Sequence, residues 1–521
     1  MLFNSYEFIF VFLPITLVCF YQLGKRGYVN AATVWLVAAS LFFYGWWNPA
    51  YLALIVGSIM FNYTAGRVLS ARRRRQAAGK SVLIVAIAAN LGVLAYFKYA
   101  NFFVENLAWL RNTDYNLVSI VLPLAISFFT FQQITYLVDA YRGRAGEHSF
   151  LRYCLFVTFF PQLIAGPIVH HSEMLPQFAQ RSTYRLNDEH IAVGLTIFFI
   201  GLFKKVVIAD GVALYATPVF DAAARGEVLT FFEAWTGALA YTFQLYFDFS
   251  GYSDMAVGLA RMFGIQLPLN FFSPYKAVNI IEFWRRWHLT LSRFLRDYLY
   301  IPLGGGRRGV TRRYLNLVIT MLLGGLWHGA SWTFVAWGGL HGFYLVTNHA
   351  WRRYGFSSTT SSWWGRATAC LITFLAVVVG WVFFRAESFA AASSILQAMA
   401  GANGFILPPA YFDYLNKLAP LGYWLQAVGW RFENAVPYFG GAEQLALFAF
   451  SFVVVWGLPN THQLMGRYAP GLDIYERKEQ QGLISLPQWQ PVPWIAVCVV
   501  TAAVWSVFSM DRISEFLYYQ F

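Results

Sequence analysis

Charge is what this chain has least of. Only 12% of its 521 residues are Asp, Glu, Lys or Arg, against roughly 25% in soluble domains. Cysteine is also scarce. Cys19, Cys154, Cys370 and Cys498 lie far apart, each in an apolar run. That spacing argues for packing roles and against a disulfide framework or a cysteine metal site. The sequence has no H-E-x-x-H, no P-loop and no G-x-S-x-G elbow, so metal and activated-serine readings are weak. It shows no internal repeat and no inverted half-repeat, which weighs against the common secondary transporters.

Hydrophobic residues make up 58% of the chain. Apolar runs of about 17–22 residues recur along its length, enough to cross a bilayer as helices. One all-α polytopic membrane domain over 1–521 is predicted. Its candidate spans are 7–23, 30–47, 50–66, 81–97, 117–137, 153–168, 190–209, 231–249, 315–327, 331–348, 367–385, 441–458 and 491–509. The first run, Phe8 to Tyr21, has no basic residue before it and no small-residue cleavage site after it. It is expected to be a retained span and not a signal peptide. Pro161, Gly166 and Pro167 interrupt the run 153–168, which predicts a re-entrant segment buried in protein. Segment 386–440 is aromatic-rich and reads as interfacial helices.

The net charge is +13. Its basic residues sit mostly in short loops: Lys25 and Arg26, then Arg67, Arg72 to Arg75 and Lys80, then Arg142, Arg144 and Arg152, and later Arg352, Arg353 and Arg366. The intervening early loops are nearly neutral. By the positive-inside rule the basic loops are cytoplasmic and both termini lie outside. The charge therefore calls for membrane lipid and not nucleic acid as the anionic partner.

The run Leu315 to Val346 holds Trp327-His328-Gly329 and His341. An imidazole is costly in such a run, which marks a functional candidate; the other reading is a buried histidine tied to a carbonyl. A helix from Arg313 gains about 20 Å before Trp327, within a hydrocarbon core of about 30 Å. Gly324, Gly325 and Gly329 then weaken the helix, and the chain returns to Arg352. The result is a helical hairpin with His328 at its tip and His341 at mid-depth.

Phe283 to Tyr300 reads FWRRWHLTLSRFLRDYLY. On a helix, Trp284, Trp287, Leu291 and Phe294 share one arc, Arg285, Arg286, Arg293 and Arg296 the opposite one, and His288 the boundary. This predicts a continuous interfacial helix. Eight arginines and one acid, Asp297, fall between Arg285 and Arg313. They fit an anchor to anionic lipid or a landing site for a phosphate-bearing substrate such as coenzyme A or a phosphopantetheine carrier. Asp248 and Asp254 lie in YFDFSGYSD (246–254) and fit either a substrate site or bonds to helix ends.

YFDFSGYSDMAVGLARMFG (246–264), EFWRRWHLTLSRFLRDYLYIPLGG (282–305) and MLLGGLWHGASWTFVAWGGLHG (321–342) resemble the membrane-bound O-acyltransferases. The resemblance is closer to the branch that O-acetylates alginate in bacteria. FFYGWW (42–47), YFKYANFF (96–103), LPLAISFFTFQQITYLVDAYRG (122–143), FPQLIAGPIV (160–169) and GWVFFRAESF (380–389) extend it over most of the chain; 401–490 match poorly. The resemblance implies a ring of helices around a funnel, with His328 as catalytic residue and His288 as second motif histidine. Gly306, and the pair His170 and His171, depart from its usual pattern.

The expected activity is O-acetyl transfer toward an exported polysaccharide such as alginate, with acetyl-CoA as cytoplasmic donor and no permanently bound cofactor or metal. His328 is the expected general base, since histidine titrates near neutral pH. Arg285, Arg286, Arg293, Arg296, Trp327, His341 and Asp254 are expected to bind substrate. The expected setting is the bacterial inner membrane, with a periplasmic acetyltransferase subunit and the polysaccharide export machinery as partners. Cellulose or peptidoglycan acetylation, lipid acylation and a non-enzymatic transporter remain the other readings.

Overall fold

The structure is a computed structural model and describes residues 1–113, 120–145, 149–355, 362–418, 420–472, 488–510 and 516–517. The described residues are mostly helical; the two strands, Ile406–Leu407 and Arg431–Phe432, pair over two residues each. Five helices among the described residues are long and apolar enough to cross a bilayer. The fold is a polytopic helical membrane fold.

Helices α1 (Phe8–Lys25), α2 (Val29–Gly45), α3 (Tyr51–Arg74), α4 (Lys80–Arg111) and α5 (Ile126–Arg142) open the chain. Their arginine-rich turns gather at one end: Arg73 donates to Tyr141 O at 3.2 Å, tying the α3–α4 turn to the end of α5. This is called the basic end below. Span 117–137 begins late, with helix from Ile126, and 117–119 lie outside the described residues. The run 153–168 is broken as predicted. Helices Phe150–Thr158 and Phe160–Leu163 are followed by non-helical chain, and 155–169 is buried throughout.

Two long helices form the centre, α6 (Asp188–Ala224) and α7 (Phe231–Met262). Nearly every residue of α7 from Glu233 onward is buried, as expected of a helix surrounded by others. Gly194 and Gly201 of α6 face Gly258 and Gly251 of α7. A Cβ added at Gly201 would lie 2.5 Å from Gly251 O, so the two backbones meet where no side chain fits.

Both helices outrun their predicted spans, 190–209 and 231–249. Charged residues lie within and just beyond those bounds, and they are paired inside the protein. Lys205 lies 2.7 Å from Asp248 and 2.8 Å from Asp210; Lys204 lies 2.6 Å from Asp254. In the same way α4 runs past the predicted end at 97 because Lys98 finds partners in the protein.

The predicted helix 283–300 is not continuous. Helix α8 (Ile280–Trp284) stops and α9 (Leu289–Leu295) starts afresh, with a π turn at Arg296–Tyr300. The break is at His288, which sits in the left-handed region at φ 43°. Beyond it come α10 (Val310–His328) and α11 (Trp332–Arg353), the predicted hairpin, and then α12 (Trp363–Arg385). Within the hairpin, a Cβ at Gly325 would lie 2.2 Å from Phe334 O and one at Gly338 2.3 Å from Met321 O. Segment 386–440 forms short helices, Phe389–Met399, Pro409–Leu418 and Leu421–Ala427. The last long elements are α13 (Gly441–Gly457) and α14 (Pro493–Phe508).

Candidate active site

Helix α10 ends at His328, and the residue that follows must be glycine. Gly329 is extended, and a Cβ there would lie 2.1 Å from the Phe334 ring. Ser331 then caps α11 by accepting from Thr333 N. The break leaves His328 on the last helical residue of the hairpin tip.

Three histidines converge near this tip. His328 is buried, with ring centroids of Trp327, Trp337 and Phe384 at 4.9, 5.1 and 5.1 Å, all edge-on. His288 is buried, edge-on to Phe249 at 4.8 Å and 6.3 Å from Trp327. Trp327 thus contacts both His288 and His328. His341 is buried between Trp337 at 4.9 Å and Trp284 at 5.2 Å. Both its ring nitrogens lack a hydrogen-bond partner among the described residues. Gly380 faces it: a Cβ there would lie 3.0 Å from His341 Nε2. The arrangement is an apolar, aromatic enclosure holding proton-accepting groups. Among the described residues no group of three or more His, Cys, Asp or Glu is placed to hold a metal.

The four predicted arginines separate. Arg286 is wholly buried and paired with Glu282. Arg293 grips Glu173 in a fork at 2.6 and 3.1 Å. Arg296 pairs with its neighbour Asp297 at 2.7 Å. Arg285 is exposed and lines a cavity of about 400 Å³ with Arg313, His349, Arg352 and Arg353. Burial, together with the guanidiniums of Arg313, Arg352 and Arg285, pulls the His349 imidazole down to about 4. It is therefore neutral near pH 7 and accepts from Arg313 Nη2 at 2.9 Å. Arg352 and Arg353 had been legible only as orientation charges, and His349 was not singled out.

Asp254 is not with the histidines. Lys204, Thr461 and His462 surround its carboxylate at 2.6, 2.6 and 3.3 Å. Asp248 is likewise held by Lys205 and by Leu517 N. These contacts tie the helices together and engage both carboxylate oxygens of Asp254. His170 and His171 lie near the basic end. The His170 ring stacks on Tyr298 at 5.8 Å, and His171 Nδ1 lies 3.6 Å from Asp139.

The sequence reading missed Lys98 and Tyr99 of α4. Tyr99 donates to Leu326 O at 2.8 Å, and Lys98 Nζ donates to Trp327 O and, at 3.1 Å, to His328 O. The available signal was a single lysine inside an apolar run, in YFKYANFF.

The sequence profile of the MBOAT, membrane-bound O-acyltransferase, family matches residues 85–393, which include Lys98 and all three histidines. A peptidoglycan O-acetyltransferase of Helicobacter pylori is 48% identical over 440 residues, covering 78% of this chain and 81% of its own. A probable alginate O-acetylase of Pseudomonas aeruginosa is 44% identical over 404 residues, covering 77% and 75%. More distantly, a teichoic acid D-alanyltransferase of Bacillus subtilis is 27% identical over 289 residues, covering 54% and 72%.

Proposed function

Because this chain belongs to the membrane-bound O-acyltransferase family, we propose that it moves acetyl groups from cytoplasmic acetyl-CoA toward a glycan outside the membrane, with His328 as general base. The observation that carries this reading is the placement of His328 on the last turn of a broken helix, inside an aromatic enclosure shared with His288 and His341. A thioester is already activated, so the main need is a base for the incoming hydroxyl. His328 takes the hydroxyl proton as the oxygen attacks the thioester carbon. The carbon–sulfur bond breaks, and the proton returns to the departing thiolate to give free coenzyme A. His288 and the ring N–H of His341 face the thioester, where an N–H can donate to its developing negative charge.

The basic end is cytoplasmic on this reading, by the distribution of Lys and Arg, and both termini are outside, in a bacterial inner membrane. The glycan class follows from the relatives, whose names specify peptidoglycan and alginate. A periplasmic acetyltransferase subunit carries the acetyl group onward, and polysaccharide export machinery delivers the acceptor.

The cavity at Arg285, Arg313, Arg352 and Arg353 receives the phosphates of the donor. It offers four guanidiniums and a neutral imidazole, and no acid lines it. Replacing Arg285 and Arg352 together with Gln is expected to raise KM for acetyl-CoA about tenfold and to leave kcat within about twofold, the pattern of lost ground-state binding. The rise should shrink with salt, since screening at about 0.15 M acts within roughly 8 Å. Steady-state kinetics in detergent with neutral lipid checks it. An unchanged KM removes the donor from this cavity and leaves the arginines as lipid anchors.

A further inference from the structure

A helix that ends inside a protein leaves the carbonyls of its last turn without intrahelical donors. For α10 these are Gly325, Leu326, Trp327 and His328. Gly325 O takes the Gly329 amide at 3.4 Å, a long bond. The other three are met from outside the hairpin, by one stretch of α4. Tyr99 Oη serves Leu326 at 2.8 Å, and Lys98 Nζ serves both Trp327 and His328. Two turns on, Asn106 Oδ1 accepts from Trp332 Nε1 at 2.7 Å, and Phe102 packs on the Trp332 ring at 5.6 Å. Lys98, Phe102 and Asn106 follow one another at i, i+4 and i+8, on one face of α4. That face runs along the hairpin tip and holds both sides of the break.

Packing does not explain this arrangement. The fully buried residues of α4 are Ala86, Asn90 and Leu94, none of them at the tip, while Phe103 beside the contact is 67% exposed. The clamp is polar, and its longest member is a lysine placed where lysine is rare. It acts on the backbone of the residue that carries the imidazole. A shift of that backbone turns the ring within its enclosure of Trp327, Trp337 and Phe384.

We propose that Lys98, assisted by Tyr99, is the positioning residue of His328: it fixes the last turn of α10 so that the imidazole stands in register with the acyl donor and the incoming hydroxyl. This rests on His328 being the base. Lys98 acts through the Trp327 and His328 carbonyls and not on the substrate. Its removal therefore lowers turnover without touching donor capture, which takes place at the Arg285 cavity.

The test is steady-state kinetics on purified protein, per folded molecule, for Lys98→Met, Lys98→Arg and Tyr99→Phe beside His328→Ala. Methionine keeps the length of the side chain and removes the donor. Lys98→Met is expected to lose about 100-fold in kcat with KM for acetyl-CoA within about twofold, since small misplacement of a reacting group costs that much. Lys98→Arg, which restores donors, should recover at least about tenfold of the loss, and Tyr99→Phe should lose about threefold. If Lys98→Met does not accumulate, Tyr99→Phe decides: wild-type kcat there overturns the clamp. Wild-type kcat in folded Lys98→Met, or a loss confined to protein yield, also overturns it. An active His328→Ala refutes the base itself. An inactive His328→Ala with a fully active Lys98→Met refutes the positioning role alone.

Discussion

Replacing His328 with alanine is expected to cut acetyl transfer by at least about a thousandfold, in the range a lost general base imposes, while the protein still accumulates in the membrane. The fold survives because the hairpin does not depend on the imidazole. It is held by glycine-to-backbone packing at Gly325 and Gly338 and by the contacts of Lys98 and Tyr99. KM for the donor should stay within about twofold, because the arginines proposed to receive its phosphates are untouched. His288 needs a different substitution. Its backbone is left-handed, at φ 43°, where alanine is strained and asparagine is tolerated. His288→Asn removes the imidazole without that strain and is expected to lose about tenfold in kcat. Full turnover at saturating donor in that variant makes His288 a structural residue.

Asp254→Ala should behave in the opposite way. The carboxylate is buried with Lys204, Thr461 and His462 about it. Removing one partner from a buried ion pair strands the other, at a cost of about 3–5 kcal/mol. The variant should melt well below the wild type in detergent and accumulate poorly, yet each folded molecule should turn over at the normal rate. An unchanged melting midpoint with lost activity would return Asp254 to the substrate site that its sequence motif suggested.

The hairpin, its tip at His328 and the broken segment at Pro161 and Gly166 were legible from apolar run length and glycine or proline placement, which are local properties. The long helices continue past the predicted ends at 209 and 249, through Asp210 and Asp254, whose charges find partners inside the protein. Lys204 is paired with Asp254 and Lys205 with Asp248. Each pair joins α6 to α7 across the sequence, and periodicity carries no trace of such pairing. The arginine face failed for a related reason. A helical projection of 283–300 assumes an unbroken helix, whereas the left-handed His288 separates α8 from α9 and Arg286 turns inward to Glu282. The Arg285 cavity and the α4 contacts join residues that lie far apart in sequence, so only the fold brings Arg285 to Arg352 and Lys98 to His328.

The decisive measurement is thioester cleavage by the purified protein in proteoliposomes, with a glycan fragment inside to accept the acetyl group, monitored as free thiol released from acetyl-CoA supplied at the face bearing Arg285 and Arg352. Acetyl transfer by His328 predicts thiol release that saturates with acetyl-CoA and vanishes in His328→Ala. Passage of acetyl-CoA with its thioester intact, or equal thiol release by wild type and His328→Ala, would contradict it.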